Sequence, residues 1–539
     1  MCAVVPVRSR RLHACRLYGA AMTTFPPPRD WDVLVIGGGI TGAGVLLEAA
    51  RRGLKTLLVE QADFGCGTSS RSSKLMHGGL RYLAAGSLRR TRDAVAEREA
   101  LLRAAPGLVD AQPFAFANHG ADLTRRLGLL SMLRVVDLLT GRREPQWQRQ
   151  DALRKPAPDA PDPRSAGSIR YTDAKTDDAR LVLRVLGEAR THGAVACNYV
   201  TVQSLVRDGG KVHGALLRDE RTGAETAVRA RLVIDATGAP PAPANAGGND
   251  KAPRLRWLRG SHLLLPADRL PLTEAVSLLH PVDGRPVFAF PWEGVTLVGT
   301  ADIDQADDVN AQPSITRGEF DYLMAAVQAQ FAPLALVDAD VLATFAGVRL
   351  VFDSGSDGVS ISDKREHLVW SEPGLVSVAG GTLTTFRLAA RDVLREAARQ
   401  LPGWQMRTER GAVFARASAP ARRDLPPNVL RRLTGRHGAH VKALLSAAHA
   451  GELECIPGTH TLWAELRWAA RAEQVYRLDD LLLRRTRLGI QLTDGGAALM
   501  GRVRAICQKE LGWDDAQWEA QEKRYIAAWR LQHAVPPSA

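Results

Sequence analysis

Gly37-Gly38-Gly39-Ile40-Thr41-Gly42 places a GxGxxG pattern directly after the apolar run Trp31 to Ile36 and before a helical stretch ending near Arg52. In that setting Gly37 makes the tight turn, Gly39 lets backbone N–H groups approach a pyrophosphate, and Gly42 lets the helix pack against the strand. Glu60 closes the next apolar run, 18 residues after Gly42, where a carboxylate accepts hydrogen bonds from an adenosine ribose and repels a 2′-phosphate. The chemistry is dinucleotide binding, which NAD and FAD satisfy equally and NADP does not. A glycine-rich turn with no ligand is the bland alternative, and strand, spacing and acid together weigh against it.

Two further segments carry side chains suited to a flat, polar ligand. Gly67-Thr68-Ser69-Ser70-Arg71-Ser72-Ser73-Lys74-Leu75-Met76-His77-Gly78-Gly79-Leu80-Arg81-Tyr82-Leu83 sets hydroxyls and glycines over a length that can lie against such a ligand and offer many hydrogen bonds. A solvated Ser/Gly linker would strand Leu75, Leu80, Tyr82 and Leu83 in water. Gly380-Gly381-Thr382-Leu383-Thr384-Thr385 ends the apolar run Leu375 to Val378 and opens a helix to about Gln400, so a positive helix end faces whatever the glycine pair admits.

The elements that must position these residues follow from the patterning. Trp31 to Ile36 and Leu54 to Val59 suit buried parallel strands, and with the helix between them they form a right-handed crossover at the start of a doubly wound sheet. The spacing predicts helices over Leu83 to Ala105, ended by Pro106 and Gly107, and over Ala179 to His192, with a strand from Arg231 to Ile234 closing at Asp235-Ala236-Thr237-Gly238. Arg142 to Arg164, rich in Pro, Asp and Arg, reads as a loop, and Pro240 to Pro253 as a connector. Strand-like segments at Ser261 to Leu265, Val287 to Phe290 and Val295 to Gly299 suggest an antiparallel sheet. From about Ala419 the chain turns helical and Arg-rich, amphipathic over Val429 to Ala450, Leu462 to Leu483 and Gly495 to Glu510, which marks a separate helical domain.

Composition bounds the function classes. At 539 residues the chain calls for two or three packed units, and 45% apolar with 24% charged residues match an ordinary globular protein. A net charge of +13, carried mostly by arginine, suits nucleic acid, an anionic membrane surface or acidic metabolites. Zinc-finger spacing, an RNA-binding aromatic signature and a basic block interleaved with aromatics are all missing, so nucleic acid is not expected. Cys2, Cys15, Cys66, Cys197, Cys455 and Cys507 are scattered, which points to a reducing compartment and no bound metal. No stretch of about 18 uncharged apolar residues exists, and the nearest, Val33 to Ala50, contains Glu48. Arg8, Arg10, Arg11 and Arg16 give the first residues the look of a transit peptide, but Met22 and the polar, proline-rich lead after it read as a natural start, leaving 1–29 as a disordered extension.

Taken together, these residues resemble the FAD-dependent glycerol-3-phosphate dehydrogenases, whose hallmark SSxSSK-L-x-HGGLRYL segment matches Ser69 to Leu83. The resemblance runs from about Asp32 to about Ile490 and includes Tyr171 to Leu183 (YTDAKTDDARLVL), Gly260-Ser261-His262, FPWEGVTLVGTAD from Phe290, GVR at Gly347 to Arg349, AELRW from Ala464 and LRRT from Leu483. It implies an α/β fold: a Rossmann-like FAD-binding domain with an interleaved antiparallel-sheet substrate domain and a C-terminal α-helical domain. The boundaries it suggests are 30–400 for the first two, with substrate parts at roughly 96–165 and 255–345, and 401–539 for the third. FAD would be held by Gly37, Gly39, Gly42, Glu60, Thr68, Ser69, Ser73, Leu75, Gly78, Gly79, Gly238, Gly380, Gly381, Leu383 and Thr384, with the isoalloxazine near His77-Gly78-Gly79. Arg81, Arg349 and Arg365 would surround a three-carbon phosphate, where guanidinium forks suit a dianion.

The implied reaction removes hydride from C2 of glycerol 3-phosphate to flavin N5, with loss of the C2 hydroxyl proton, and gives dihydroxyacetone phosphate. Such a step needs a base, and His77 is the nominee, with Arg349 beside it at the reacting centre; a purely structural role for His77 is the alternative. The family further implies a quinone as electron acceptor, peripheral contact with the cytoplasmic face of the inner membrane, and compatibility with a homodimer. Two departures stand out: the family's GGKLTT has Thr382 where the lysine belongs, and its GVRP ends in Leu350. Losing a charge-assisted hydrogen bond near the substrate costs roughly 1.5–3 kcal/mol, unless another cation such as Lys364 compensates. The substitution keeps open an oxidase passing electrons to oxygen, a dehydrogenase of another small anionic substrate, or an FAD-binding homologue with weakened catalysis.

Overall fold

The computed structural model describes residues 30–84, 86–117, 131–136, 138–139, 147–148, 168–238, 254–304, 312–353, 367–407 and 411–538. The expected extension at 1–29, the Arg142 to Arg164 loop apart from 147–148, the Pro240 to Pro253 connector, Lys364, Arg365 and the side chain of Arg81 lie outside the described residues.

Strand β1 (Trp31–Ile36), helix α1 (Ile40–Arg51) and strand β2 (Thr56–Glu60) open the described chain, with β1 and β2 paired in parallel. Their apolar runs are continuous because both faces are covered. Val33, Val35 and Leu58 join the core beneath α1, while Leu34, Leu57 and Val59 join a second core on the other side. The chain continues through β3 (Leu75–Met76), α2 (Leu80–Ala84), α3 (Leu88–Ala104), β4 (Val109–Ala117), β5 (Trp147–Gln148), β6 (Ser168–Thr176), α4 (Asp178–Thr191), β7 (Val195–Asn198), β8 (Val200–Asp208), β9 (Lys211–Asp219) and β10 (Glu225–Asp235). It then forms β11 (Arg254–Pro266), β12 (Ala275–Leu279), β13 (Pro286–Trp292), β14 (Val295–Asp304), α5 (Arg317–Gln330), β15 (Ala343–Asp353), β16 (His367–Glu372), β17 (Leu375–Gly380) and α6 (Phe386–Ala398).

Two sheets result. The first runs β16-β17-β10-β1-β2-β7, with β9 and β8 continuing from β10. Strands β17, β10, β1, β2 and β7 are parallel to one another and β16 is an antiparallel edge. The second runs β15-β11-β14-β13-β12-β4-β6-β3, with β5 on β6. It is antiparallel as expected except where β12 and β4 pair in parallel. This sheet curls, so that Lys74 beside the edge strand β3 comes within 4.5 Å of the ring of Phe345 on the opposite edge strand β15.

The helical domain contributes α7 (Pro427–His437), α8 (Val441–Ala447), α9 (Trp463–Ala472), a π-helical turn (Asp480–Arg485), α10 (Leu488–Gln491), α11 (Met500–Leu511) and α12 (Asp515–Gln532). Its Trp463, Trp518, Tyr525 and Trp529 share one core with Trp292, Leu297 and Phe345 of the second sheet. Three expected helices divide: the Leu462 to Leu483 run splits into α9 and the π-helical turn, non-helical just after Ala472, and the other two break at a glycine. The Leu83 to Ala105 helix becomes α2 and α3 because Gly86, at φ +76°, closes α2: Gly86 N donates to Leu83 O at 2.9 Å and Ser87 N to Tyr82 O at 2.8 Å. The Val429 to Ala450 helix breaks at Gly438, where a Cβ would sit 2.5 Å from Cζ of Arg184.

Candidate active site

Ile36, Asp235 and Ser377 stand in register on β1, β10 and β17, so the turns that follow these strands leave the first sheet side by side. Gly37, at φ +107°, rests on the end of β10; a Cβ there would lie 2.6 Å from Ala236 O. Gly42 is tighter still, its added Cβ falling 1.9 Å from Gly37 O, which explains how α1 starts flush against β1. Across the cleft, Gly380 and Gly381 have φ of +75° and +97°, and a Cβ on Gly381 would come 3.8 Å from Thr41 Oγ1 on the first turn of α1. The structure thereby gathers two side-chain-free turns and the N-termini of α1 and α6 at the carboxyl ends of parallel strands, the place where such sheets bind dinucleotides. Gly238, at φ +78°, closes the turn after β10, with Leu383 and the buried Thr384 leading into α6.

Glu60 braces this cradle from within. Its carboxylate accepts from Gly38 N at 2.7 Å and Ala62 N at 2.9 Å, and burial raises its pKa against the pull of those two N–H groups. Ser69 Oγ accepts from Ile40 N at 2.9 Å, which seats the serine-rich run on the first turn of α1, and Thr68 Oγ1 donates to Val348 O at 2.5 Å. Several hydroxyls expected to face a ligand are thus spent inside the protein. Ser72 Oγ likewise donates to Asp178 Oδ2 at 2.7 Å, Ser73 beside it is half-buried, and Leu75 packs in the core shared with the helical domain.

His77 leaves this run with its side chain 51% exposed, its Nδ1 3.3 Å from Asp173 Oδ2. Asp173 is buried, and its Oδ1 accepts from Gly78 N at 2.6 Å and from Arg98 Nη1 at 2.5 Å. Burial alone would raise the Asp173 pKa; His77 and Arg98 outweigh it and hold the carboxyl below its ordinary value. Gly78 and Gly79 owe their identity to this packing. A Cβ on Gly78 would lie 2.1 Å from Arg98 Nη1, and one on Gly79, at φ +85°, 2.9 Å from Thr91 Cα.

Arg349, on β15, pairs through Nη2 with Asp302 Oδ2 at 2.5 Å and remains 43% exposed. Thr382 turns to its own helix: its Oγ1 lies 2.9 Å from Thr385 Oγ1 and accepts from Thr385 N at 3.3 Å. Lys74 is the residue sequence reasoning passed over. Fully buried at φ +59°, its ammonium donates to both oxygens of Asp178 at 3.0 Å and to Ser70 O at 3.1 Å. Burial first, then Arg487, lowers its pKa to about 8. His262, of the Gly260-Ser261-His262 motif, is buried and stacked 4.5 Å from the Phe345 ring, both ring nitrogens unpartnered among the described residues. Burial, with the nearby charges of Lys74 and Arg349, pushes its pKa down to about 3, so it stays neutral.

Residues 32–393 match the FAD dependent oxidoreductase family, and residues 394–518 match the C-terminal domain of alpha-glycerophosphate oxidase. A curated relative from Mycobacterium bovis, named glycerol-3-phosphate dehydrogenase 2, is 33% identical over 523 residues, spanning 92% of this chain and 88% of its own. The chain belongs to the glycerol-3-phosphate dehydrogenase family of FAD-dependent oxidoreductases. The aerobic glycerol-3-phosphate dehydrogenase of Staphylococcus epidermidis is 31% identical across 85% of this chain and 86% of its own. The crystal structure of the Bacillus halodurans glycerol-3-phosphate dehydrogenase complexed with FAD superposes with a TM-score of 0.73 at 26% identity, covering 97% of this chain and 98% of that one. L-alpha-glycerophosphate oxidase from Mycoplasma pneumoniae shares the fold over 71% of this chain, at TM-score 0.54 and 19% identity.

FAD is the cofactor of this dehydrogenase family member, and the cradle fits it: backbone N–H groups at two helix starts for the pyrophosphate, glycines where a Cβ would intrude, and an acid at Glu60. The motif spacing found the cradle. The partners of His77 and Lys74 went unseen because Asp173 and Asp178 lie 96 and 104 residues away, and only the sheet brings them close.

Proposed function

We propose that the protein oxidises sn-glycerol 3-phosphate to dihydroxyacetone phosphate and passes the electrons to a quinone. The observation that carries the reading is the His77–Asp173–Arg98 chain at the exit of the serine-rich run. An ionised Asp173 holds a proton on His77 Nδ1, which leaves Nε2 as an acceptor on the exposed side of the ring, the arrangement a base needs to take the C2 hydroxyl proton. Bound FAD supplies the hydride acceptor, its N5. Arg349 presents its exposed guanidinium edge to the phosphate while Asp302 fixes the other edge, with Arg81 and Arg365 as further phosphate ligands.

Exposed Leu88 beside Arg89 and Arg92, together with the net charge of +13, supports peripheral contact with an anionic cytoplasmic membrane surface. Among the described residues no helix is long and apolar enough to cross a membrane. The oxidase-named match over residues 394–518 favours a second reading in which oxygen is the acceptor. The experiment is sequential: glycerol 3-phosphate is added without oxygen, then either a water-soluble quinone or oxygen. Dihydroxyacetone phosphate with faster reoxidation by the quinone is expected, and faster reoxidation by oxygen with peroxide release selects the oxidase.

Thr382→Lys restores a cation at the cost of the turn hydrogen bonds to Thr385. The gain exceeds the roughly 1 kcal/mol lost in the turn, so kcat/KM for glycerol 3-phosphate rises about tenfold. Steady-state kinetics check this; unchanged or lower kcat/KM means the site is built around threonine.

A further inference from the structure

The loop that leaves β2 after Glu60 and returns at Ser69 touches the glycine turn directly, Gly65 N donating to Gly38 O at 3.0 Å. Asp63 in this loop is buried, and its carboxylate is held by the helical domain. Arg484 Nε and Arg485 Nη1 each lie 2.5 Å from Oδ2, and Arg485 Nη2 lies 2.8 Å from Oδ1, contacts spanning more than 420 residues of chain. Asn198 Nδ2 donates to Oδ1 at 2.8 Å. Burial would raise the Asp63 pKa, but the two guanidinium groups hold it below its ordinary value.

Consecutive residues of a regular α-helix do not face one partner. Arg484 and Arg485 end the π-helical turn Asp480–Arg485, whose wider winding lets both reach Asp63. Asp480 starts that turn and accepts from Tyr199 OH at 2.7 Å and Arg484 Nη2 at 2.6 Å, while Tyr199 N donates to Ala62 O at 2.9 Å. Farther along, Arg487 at φ +67° donates from Nη2 to Ser70 O at 2.9 Å and from Nε to Asp177 Oδ1 at 3.1 Å. The segment from Asp63 to Ser70 is therefore pinned at both ends by three arginines that lie within one four-residue stretch of the helical domain. Buried ion pairs gain little net stability over apolar packing, so their concentration here favours a geometric task over general adhesion.

We propose that Arg484, Arg485 and Arg487 are positioning residues through which the docked helical domain clamps the Asp63 to Ser70 segment against the glycine turn and so retains the adenosine end of FAD. The clamp rests on the placement of that end at Glu60 argued above. Its test is the rate of FAD release from diluted holoenzyme, followed by the recovery of free-flavin fluorescence, in Arg485→Gln, Glu60→Gln and Arg467→Gln proteins. Arg467 is a matched control: its buried guanidinium binds Glu452 at 2.5 Å and Glu510 at 2.7 Å, all inside the helical domain. Arg485→Gln accelerates release at least about tenfold, and Arg467→Gln leaves it within about twofold of wild type. Should Arg485→Gln not fold, Tyr199→Phe, which removes one hydroxyl from Asp480, accelerates release about threefold. Wild-type release from Arg485→Gln or Tyr199→Phe, or equal acceleration in Arg467→Gln, overturns the clamp. Unchanged release from Glu60→Gln overturns the placement, and the clamp with it.

Discussion

His77→Asn lowers kcat by about a hundred- to ten-thousandfold while leaving thermal stability close to wild type. The two halves of this expectation have separate causes. The side chain is half exposed and its polar contact among the described residues is with Asp173, so little packing is lost. What disappears is the acceptor nitrogen that takes the C2 hydroxyl proton. Asp173→Asn acts on the same step by a different route: a neutral amide no longer holds the His77 Nδ1 proton, and buried Arg98 keeps Glu99, at 3.2 Å, as its remaining acidic partner among the described residues. That variant therefore loses turnover and also melts lower, because a buried guanidinium loses its closest carboxylate partner. Turnover kinetics with melting curves separate the cases. Near-normal kcat in His77→Asn returns the residue to a structural role.

Gly42→Ala yields protein that purifies with less than about a tenth of its flavin. The added Cβ meets a backbone carbonyl, Gly37 O, at 1.9 Å, in a turn held to β2 by Gly37 N donating to Val59 O at 2.8 Å and packed on Ala236, so the carbonyl has little room to move. The first turn of α1 must lift from β1, and the N–H groups facing the pyrophosphate lift with it. Gly39→Ala provides the contrast. Its Cβ meets only Ser69 Oγ, at 3.1 Å, which can rotate away at the cost of the hydrogen bond from Ile40 N. This milder variant keeps flavin with weakened affinity. The flavin-to-protein absorbance ratio reads both, and full occupancy in Gly42→Ala removes the tight-turn account of the motif.

The legible part of the molecule was the part encoded by near neighbours. Trp31 to Ile36, the glycine turn and Glu60 follow one another within a few dozen residues, and their periodicity and spacing state what they form. Two of the divided helices show the limit of that reading. Gly86 and Gly438 sit inside apolar periodicities that continue across them, and a helix stops there only because a Schellman closure in one case and the Arg184 guanidinium in the other require a glycine. The hydroxyls of Thr68, Ser69 and Ser72 were legible as donors and acceptors, but their partners Val348, Ile40 and Asp178 come from separate strands and helices. The ion pairs between Asp63 and the Arg484-Arg485 pair join opposite ends of the chain, and no local pattern announces them.

Whether this FAD cradle works on glycerol 3-phosphate is read out by reductive titration. Purified holoprotein is titrated with glycerol 3-phosphate under strict exclusion of oxygen while the visible flavin absorption band is followed. Bleaching is expected, with dihydroxyacetone phosphate formed in proportion to the flavin reduced. A band that persists at saturating glycerol 3-phosphate, in protein whose flavin dithionite still bleaches, contradicts it.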